Sequence, residues 1–279
     1  MSTEFAEVRW RGRSVRIEYQ RIAPEWRNTP LLVFLHEGLG SVAMWKDFPQ
    51  RLCEAGGFRG VVMSRPAYGR STPRAADEVW APDFMHQQAH EVLPAFFEAI
   101  DLQEAPWLFG HSDGGSIALL YAARHPQQTA GVVVLAPHLF VEDVSVANIE
   151  LARGAYLQGD LRARLARYHD DVDSAFWGWN RIWLDPAFRS WNIEAEIGAI
   201  ACPVLAMQGL DDEYGTLAQI RGIAQRVPGT ELLEIAQCGH SPHRDQAEQV
   251  IVATVAFVSA KKQLAEADGT RSAAQLLEK

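Results

Sequence analysis

Cysteine is scarce in this 279-residue chain, limited to Cys53, Cys202 and Cys238. Three widely spaced thiols give no disulfide framework and fit a reducing compartment, so the expected location is cytoplasmic. Excess positive charge is also lacking. Lys and Arg number 26 against 35 Asp and Glu, a formal net charge of −9. That balance argues against nucleic acid and anionic membrane as partners. No run approaches the ~18–20 apolar residues of a membrane span. The opening MSTEFAEVRWRGRSV carries no apolar core of a secretory leader. No internal repeat of fixed period is present.

What the chain does have is core-forming material, with 48% hydrophobic residues. Its length suits one large α/β domain or two modest ones. EFAEVRW and SVRIEYQRI alternate apolar and polar positions around RGR, the pattern of an antiparallel hairpin. PLLVFLH, RGVVMS, PWLFGH, AGVVVLAP and PVLAMQG are short continuous apolar runs, as in strands buried on both faces. TELLEI completes a set of eight. Helical spacing falls between them near 42–55, 83–100 (kinked at Pro94), 116–124, 216–226 and 244–264. Strand–helix alternation predicts a mostly parallel sheet with helices on both faces. It lapses over 139–197, a charged, tryptophan-dense stretch read as a helical cap inserted after the sixth strand. The expected organisation is core over 1–138, cap over 139–197, core again over 198–265, and a loosely held tail over 266–279.

Gly110, Ser112 and Gly114 form a G-x-S-x-G in GHSDG, between a strand and a helix. A serine on so tight a turn needs small neighbours two residues to either side. The same turn aims the unpaired amides of the next helix at the serine. A hydroxyl there needs a base to take its proton and an acid to orient that base. Asp211 and Asp212 follow one later strand, and His240 follows the next. Ser, Asp, His is the chain order found with this kind of turn.

Taken together these segments resemble the α/β-hydrolase superfamily over essentially residues 1–265. LHEGLGS resembles its oxyanion loop, SRPAYGRS the loop after the fourth strand, GHSDGG the nucleophile elbow, GLDDEY the acid loop and CGH the histidine loop. The resemblance implies Ser112 as nucleophile, His240 as base and Asp212, rather than Asp211, as acid. It implies the backbone amides of Gly38 and Asp113 as oxyanion donors, with no cofactor and no metal. Two positions depart from the pattern. Glu37 stands where glycine is usual, either bonding the turn or reaching the substrate pocket. Ala67 replaces a loop glycine, which implies a different backbone angle. A serine at the elbow argues against the haloalkane dehalogenases and epoxide hydrolases of this fold, which use aspartate.

Among the other histidines, His36 and His111 read as structural, and His243 is the second choice as base. His138 follows the sixth strand and should face the crevice at the strand ends. His169, Asp170, Asp171 and Asp173 suit helix caps and a solvated turn better than a metal site. Phe176, Trp179, Asn180 and Trp183 share one helix face. Trp179 and Trp183 join Glu37 and His138 as pocket candidates, and that face also serves to glue the insertion to the core. The expected reaction is hydrolysis of a small or medium carboxylic ester, thioester or lactone through an acyl-enzyme, with an apolar or aromatic acyl part. The rivals are hydrolysis of a carbon–carbon bond in a ring-fission diketone and a non-catalytic small-molecule receptor. The exposed part of the insertion is a candidate surface for a homodimer.

Overall fold

The computed structural model describes residues 2–75 and 77–277. Eight strands form one sheet in the order β1-β2-β4-β3-β5-β6-β7-β8. β1 (Glu4–Trp10) and β2 (Arg13–Ile22) form the expected hairpin, and β2 also runs antiparallel to β4 (Arg59–Met63). All other pairings are parallel, joining β3 (Leu31–Leu35), β4, β5 (Trp107–His111), β6 (Gly131–Leu135), β7 (Val204–Gly209) and β8 (Glu231–Ile235). β3, β5, β6 and β7 are buried at every position, while β1 at the sheet's edge alternates. That difference is why the former read as continuous apolar runs.

Alternate residues of one strand feed different faces. Leu31, Val33 and Leu35 join one cluster with Phe96, Ile117 and Trp183, whereas Leu32 and Phe34 join another with Phe48, Leu52 and Val258. The second cluster is covered by α1 (Phe48–Gly56) and by the long C-terminal helix. The helix expected over 83–100 divides at its proline. α2 (Phe84–Gln87) passes through a π turn at Gln88–Val92 into α3 (Leu93–Ala99), where Pro94 lies in the first turn. The wider turn absorbs the hydrogen bond Pro94 cannot donate. α4 (Asp113–Arg124) follows β5 directly.

Between β6 and β7 run α5 (Asp143–Gln158), α6 (Leu161–Leu165), α7 (Val172–Trp183), a 3-10 turn at Pro186–Ser190, and α8 (Glu194–Ile197). α7 sets Phe176, Trp179, Asn180 and Trp183 inward, and all four are buried. Phe176 stacks on Tyr156 at 3.6 Å between centroids, while Phe188 joins Trp183 and Phe84. His169 ties these helices to the sheet. Its Nδ1 accepts the amide of Gly69 and its Nε2 donates to the carbonyl of Leu39, both at 2.9 Å. Asp171 caps α7 through the Ser174 amide, and Asp173 bonds Arg162 and Tyr156. α9 (Ala218–Arg226), α10 (Pro242–Asp245) and α11 (Ala247–Leu277) complete the chain. The backbone stays helical to Leu277 across the stretch expected as a loose tail, which is rich in good helix formers. Residues 278 and 279 lie outside the described residues.

Candidate active site

Ser112 sits where β5 becomes α4, with φ 52° and ψ −121°. A non-glycine residue there carries on the order of 1–3 kcal/mol of backbone strain. The flanking glycines are explained by contact. A Cβ at Gly110 would come within 2.3 Å of the carbonyl oxygen of Gly114, and one at Gly114 within 2.1 Å of that of Leu35. The strain lifts the hydroxyl out of the sheet into a cavity of about 420 Å³ at the carboxyl ends of the strands.

His240 reaches Ser112 from the loop after β8. Its Nε2 lies 2.9 Å from Ser112 Oγ, and its Nδ1 lies 2.8 Å from Asp212 Oδ1. Asp212, from the loop after β7, is fixed by the Tyr214 amide on Oδ1 and by Gln208 Nε2 on Oδ2. Burial alone would raise its pKa, but the His240 bond and charge outweigh that and hold it below the ordinary carboxylate value. Asp211 is exposed and makes no side-chain contact with His240. His243 is buried against Trp45 and His111, so the fold separates it from the serine.

Gly38 and Asp113 both line the cavity. Asp113 opens α4, so its amide has no acceptor within the helix. Its carboxylate is buried, accepting from Trp183 Nε1 at 3.2 Å and lying 3.8 Å from the buried guanidinium of Arg65. Trp179 lies so close to Gly38 that a Cβ there would meet its indole nitrogen at 2.2 Å. The two tryptophans of the cavity wall therefore pack against these two residues, Trp179 against Gly38 and Trp183 against Asp113.

Of the two roles considered for Glu37, the structure shows the one at the cavity. It lines the cavity, and its Oε2 lies 3.5 Å from His111 Nδ1. Burial opposes its charge, yet the His111 contact prevails and keeps it well below the usual carboxylate range. His111 in turn donates from Nε2 to the carbonyl of His240 at 2.6 Å, so Glu37 is linked to the histidine loop through one ring. His36 is a backbone clamp, bonded to the carbonyl of Glu37 and the amide of Arg65. Ala67 corrects an expectation. Its φ is 81°, in the region glycine favours, because its amide closes a turn onto the carbonyl of Thr72.

His138 is buried with its Nε2 3.4 Å from Ser112 Oγ. Its backbone is gripped by Ser116 Oγ, which receives its N–H and donates to its carbonyl. Burial pushes its pKa down to about 3, so the ring is neutral at working pH. Sequence reasoning missed Arg65, Gln208 and Tyr214, along with four cations of the cavity lining, Lys46, Arg164, Arg167 and Arg244. Arg65 and Tyr214 do stand inside quoted motifs. The cations are scattered along the chain and carry no shared signal.

The profile of the alpha/beta hydrolase family matches residues 32–254. The chain belongs to that family. Over 237 residues it is 24% identical to a 2-hydroxymuconate semialdehyde hydrolase from Pseudomonas sp. (strain CF600), covering 75% of this chain and 80% of that protein. A 2-hydroxy-6-oxo-6-phenylhexa-2,4-dienoate hydrolase from Burkholderia cepacia is 19% identical over 265 residues, 82% of this chain and 87% of the other. Among solved structures, the enol-lactonase from Burkholderia xenovorans LB400 superposes with a TM-score of 0.72 at 21% identity, over 92% of this chain and all of that one. These likenesses establish a hydrolase of this fold. No described helix is long and apolar enough to cross a membrane.

Proposed function

We propose that the protein is a serine hydrolase that cleaves a carboxylic ester, thioester or lactone through an acyl-enzyme. The observation that carries this reading is the unbroken hydrogen-bond chain Asp212–His240–Ser112, at 2.8 and 2.9 Å, ending in the cavity. Ser112 donates its proton to His240 Nε2 as Oγ attacks the carbonyl carbon. Asp212 holds the Nδ1–H tautomer and stabilises the imidazolium. The oxyanion is received by the amides of Asp113 and Gly38. One such donor is typically worth ~10²–10³ in rate. His240 then protonates the leaving oxygen or sulfur, and water repeats the sequence on the acyl-enzyme.

His138 contributes a second imidazole. Ser112 has one proton and gives it to His240, so toward His138 its oxygen can only accept. The proton of the neutral His138 ring therefore sits on Nε2, which supports the oxygen as charge develops on it. The helices of 139–197 act as a cap whose Trp179 and Trp183 favour an apolar or aromatic acyl part. The site calls for no cofactor, and three free thiols suit a reducing cytoplasm.

The names of two relatives favour a second reading, hydrolysis of a carbon–carbon bond in a ring-fission diketone by the same three residues. A panel of aryl esters, thioesters, lactones and vinylogous diketones, compared by kcat/KM, separates the two. Esters leading supports the first reading, and diketones leading supports the second. Turnover of the best substrate by Ser112→Ala at the parent rate sinks both.

A further inference from the structure

Lys46, Arg164, Arg167 and Arg244 line the cavity and are all exposed, whereas Ser112, Asp113 and His138 lie buried at its floor. The cations therefore ring the opening. They come from three separate segments. Lys46 precedes α1, Arg164 and Arg167 lie in and just after α6, and Arg244 is in α10 beside the histidine loop. Lys46 Nζ bonds the hydroxyl of Tyr168 at 2.5 Å, drawing sheet and inserted helices together at this point. Tyr168 feels Lys46 most, then Arg167 and Arg164, and its pKa falls below the ordinary tyrosine value.

Many surface cations elsewhere have carboxylate partners, as in Arg59–Glu104, Arg162–Asp173 and Arg221–Glu234. Among the described residues only Arg164 of the four has a carboxylate in reach, Asp160 at 3.7 Å. Arg244 bonds Ser241 Oγ instead, and among the described residues Arg167 makes no side-chain hydrogen bond or ion pair. The carboxylates of the cavity are engaged: Asp113 with Arg65 and Trp183, Glu37 with His111, and Glu213 with the amide of His240. In a chain of net charge −9, this gathering of cations is an exception. Like charges brought together repel, and an anion between them relieves the repulsion and is steered toward the site.

We propose that the substrate carries an anionic group, carboxylate or phosphate, at the end remote from the scissile bond, and that Lys46, Arg164, Arg167 and Arg244 hold it at the opening. The position of the scissile bond rests on the serine-hydrolase reading. Recognition of the anion does not.

The test uses matched pairs: p-nitrophenyl esters with and without a terminal carboxylate on the acyl chain, and a coenzyme A thioester against the S-ethyl thioester of the same acid. The expected result is a charged-over-neutral ratio in kcat/KM of about tenfold at low salt in one pair or the other, as exposed ion pairs worth ~1.5- to 5-fold each combine. A preference within the ester pair puts the anion on the acyl chain, and one within the thioester pair puts it on the carrier. The ratio should fall toward one near 0.5 M salt, where the Debye length is only about 4 Å. Lys46→Gln and Arg167→Gln should each cut it about 2- to 5-fold, while the distant Arg221→Gln leaves it in place. Calorimetric binding of the same compounds to Ser112→Ala keeps the two ideas apart. If that variant still turns esters over, the hydrolase reading fails, but tighter binding of the charged compounds upholds the anion site. Equal, salt-insensitive turnover and equal binding of charged and neutral compounds overturn the proposal.

Discussion

The ends of the sheet strands and the helices inserted between β6 and β7 supply the cavity in different ways. Ser112, Asp212 and His240 stand on turns that leave β5, β7 and β8, so parallel pairing of neighbouring strands sets their separations. The inserted helices contribute Trp179, Trp183, Arg164 and Arg167 through tertiary contacts alone, such as the His169 clamp and the stacking of Phe176 on Tyr156. The reacting groups thus inherit the rigidity of the sheet. The substrate-facing groups sit on a layer that packing holds and sequence change can re-aim.

Breaking the sheet-borne set should give the largest effect. Asp212→Asn is expected to lower kcat by ~10³–10⁴ by leaving His240 in the wrong tautomer, while Asp211→Asn stays within a few-fold. Steady-state assay of the best substrate checks both. Removing glue from the inserted layer should act on stability instead. Phe188, fully buried between Trp183 and Trp191, is expected to cost about 3–5 kcal/mol on change to Ala, read as a shift in urea midpoint. Similar kcat per folded molecule in that variant would sharpen the contrast between the layers.

His138 tests the seam between them. His138→Phe should lower kcat about 10- to 10²-fold with little change in KM, below a full oxyanion donor because 3.4 Å is long for a hydrogen bond. His138→Gln, which restores a donor, should recover part of the loss, and a merely structural role would show no such rescue. The smallest effect concerns pH. Burial holds His138 at about 3, against about 6.5 in the unfolded chain. Its depressed value means that stability is fully present above pH 6.5 and is lost as pH falls from there toward 3. His138→Phe should therefore lose less stability than the parent between pH 7 and pH 4.5, read from urea midpoints at the two values.

The sheet was legible because strands buried on both faces spell unbroken apolar runs, and the elbow because its backbone admits only small neighbours at Gly110 and Gly114. Chain order then brought the serine, acid and base to one end. The division at Pro94 was half visible, since proline marks the break but not the π turn that accommodates it. The link from Glu37 through His111 to His240, the buried Arg65 beside Asp113, and the cations at the opening were not legible. Each depends on which side chains converge across long stretches of chain, such as Arg65 with Asp113 or Lys46 with Arg244, and no local period encodes that.

The most direct test of the central claim is mass spectrometry of the protein after reaction with a fluorophosphonate. The account predicts a single adduct on the peptide containing Ser112, absent in Ser112→Ala and formed far more slowly in Asp212→Asn. No adduct, or an adduct mapped to another residue and retained in Ser112→Ala, would contradict it.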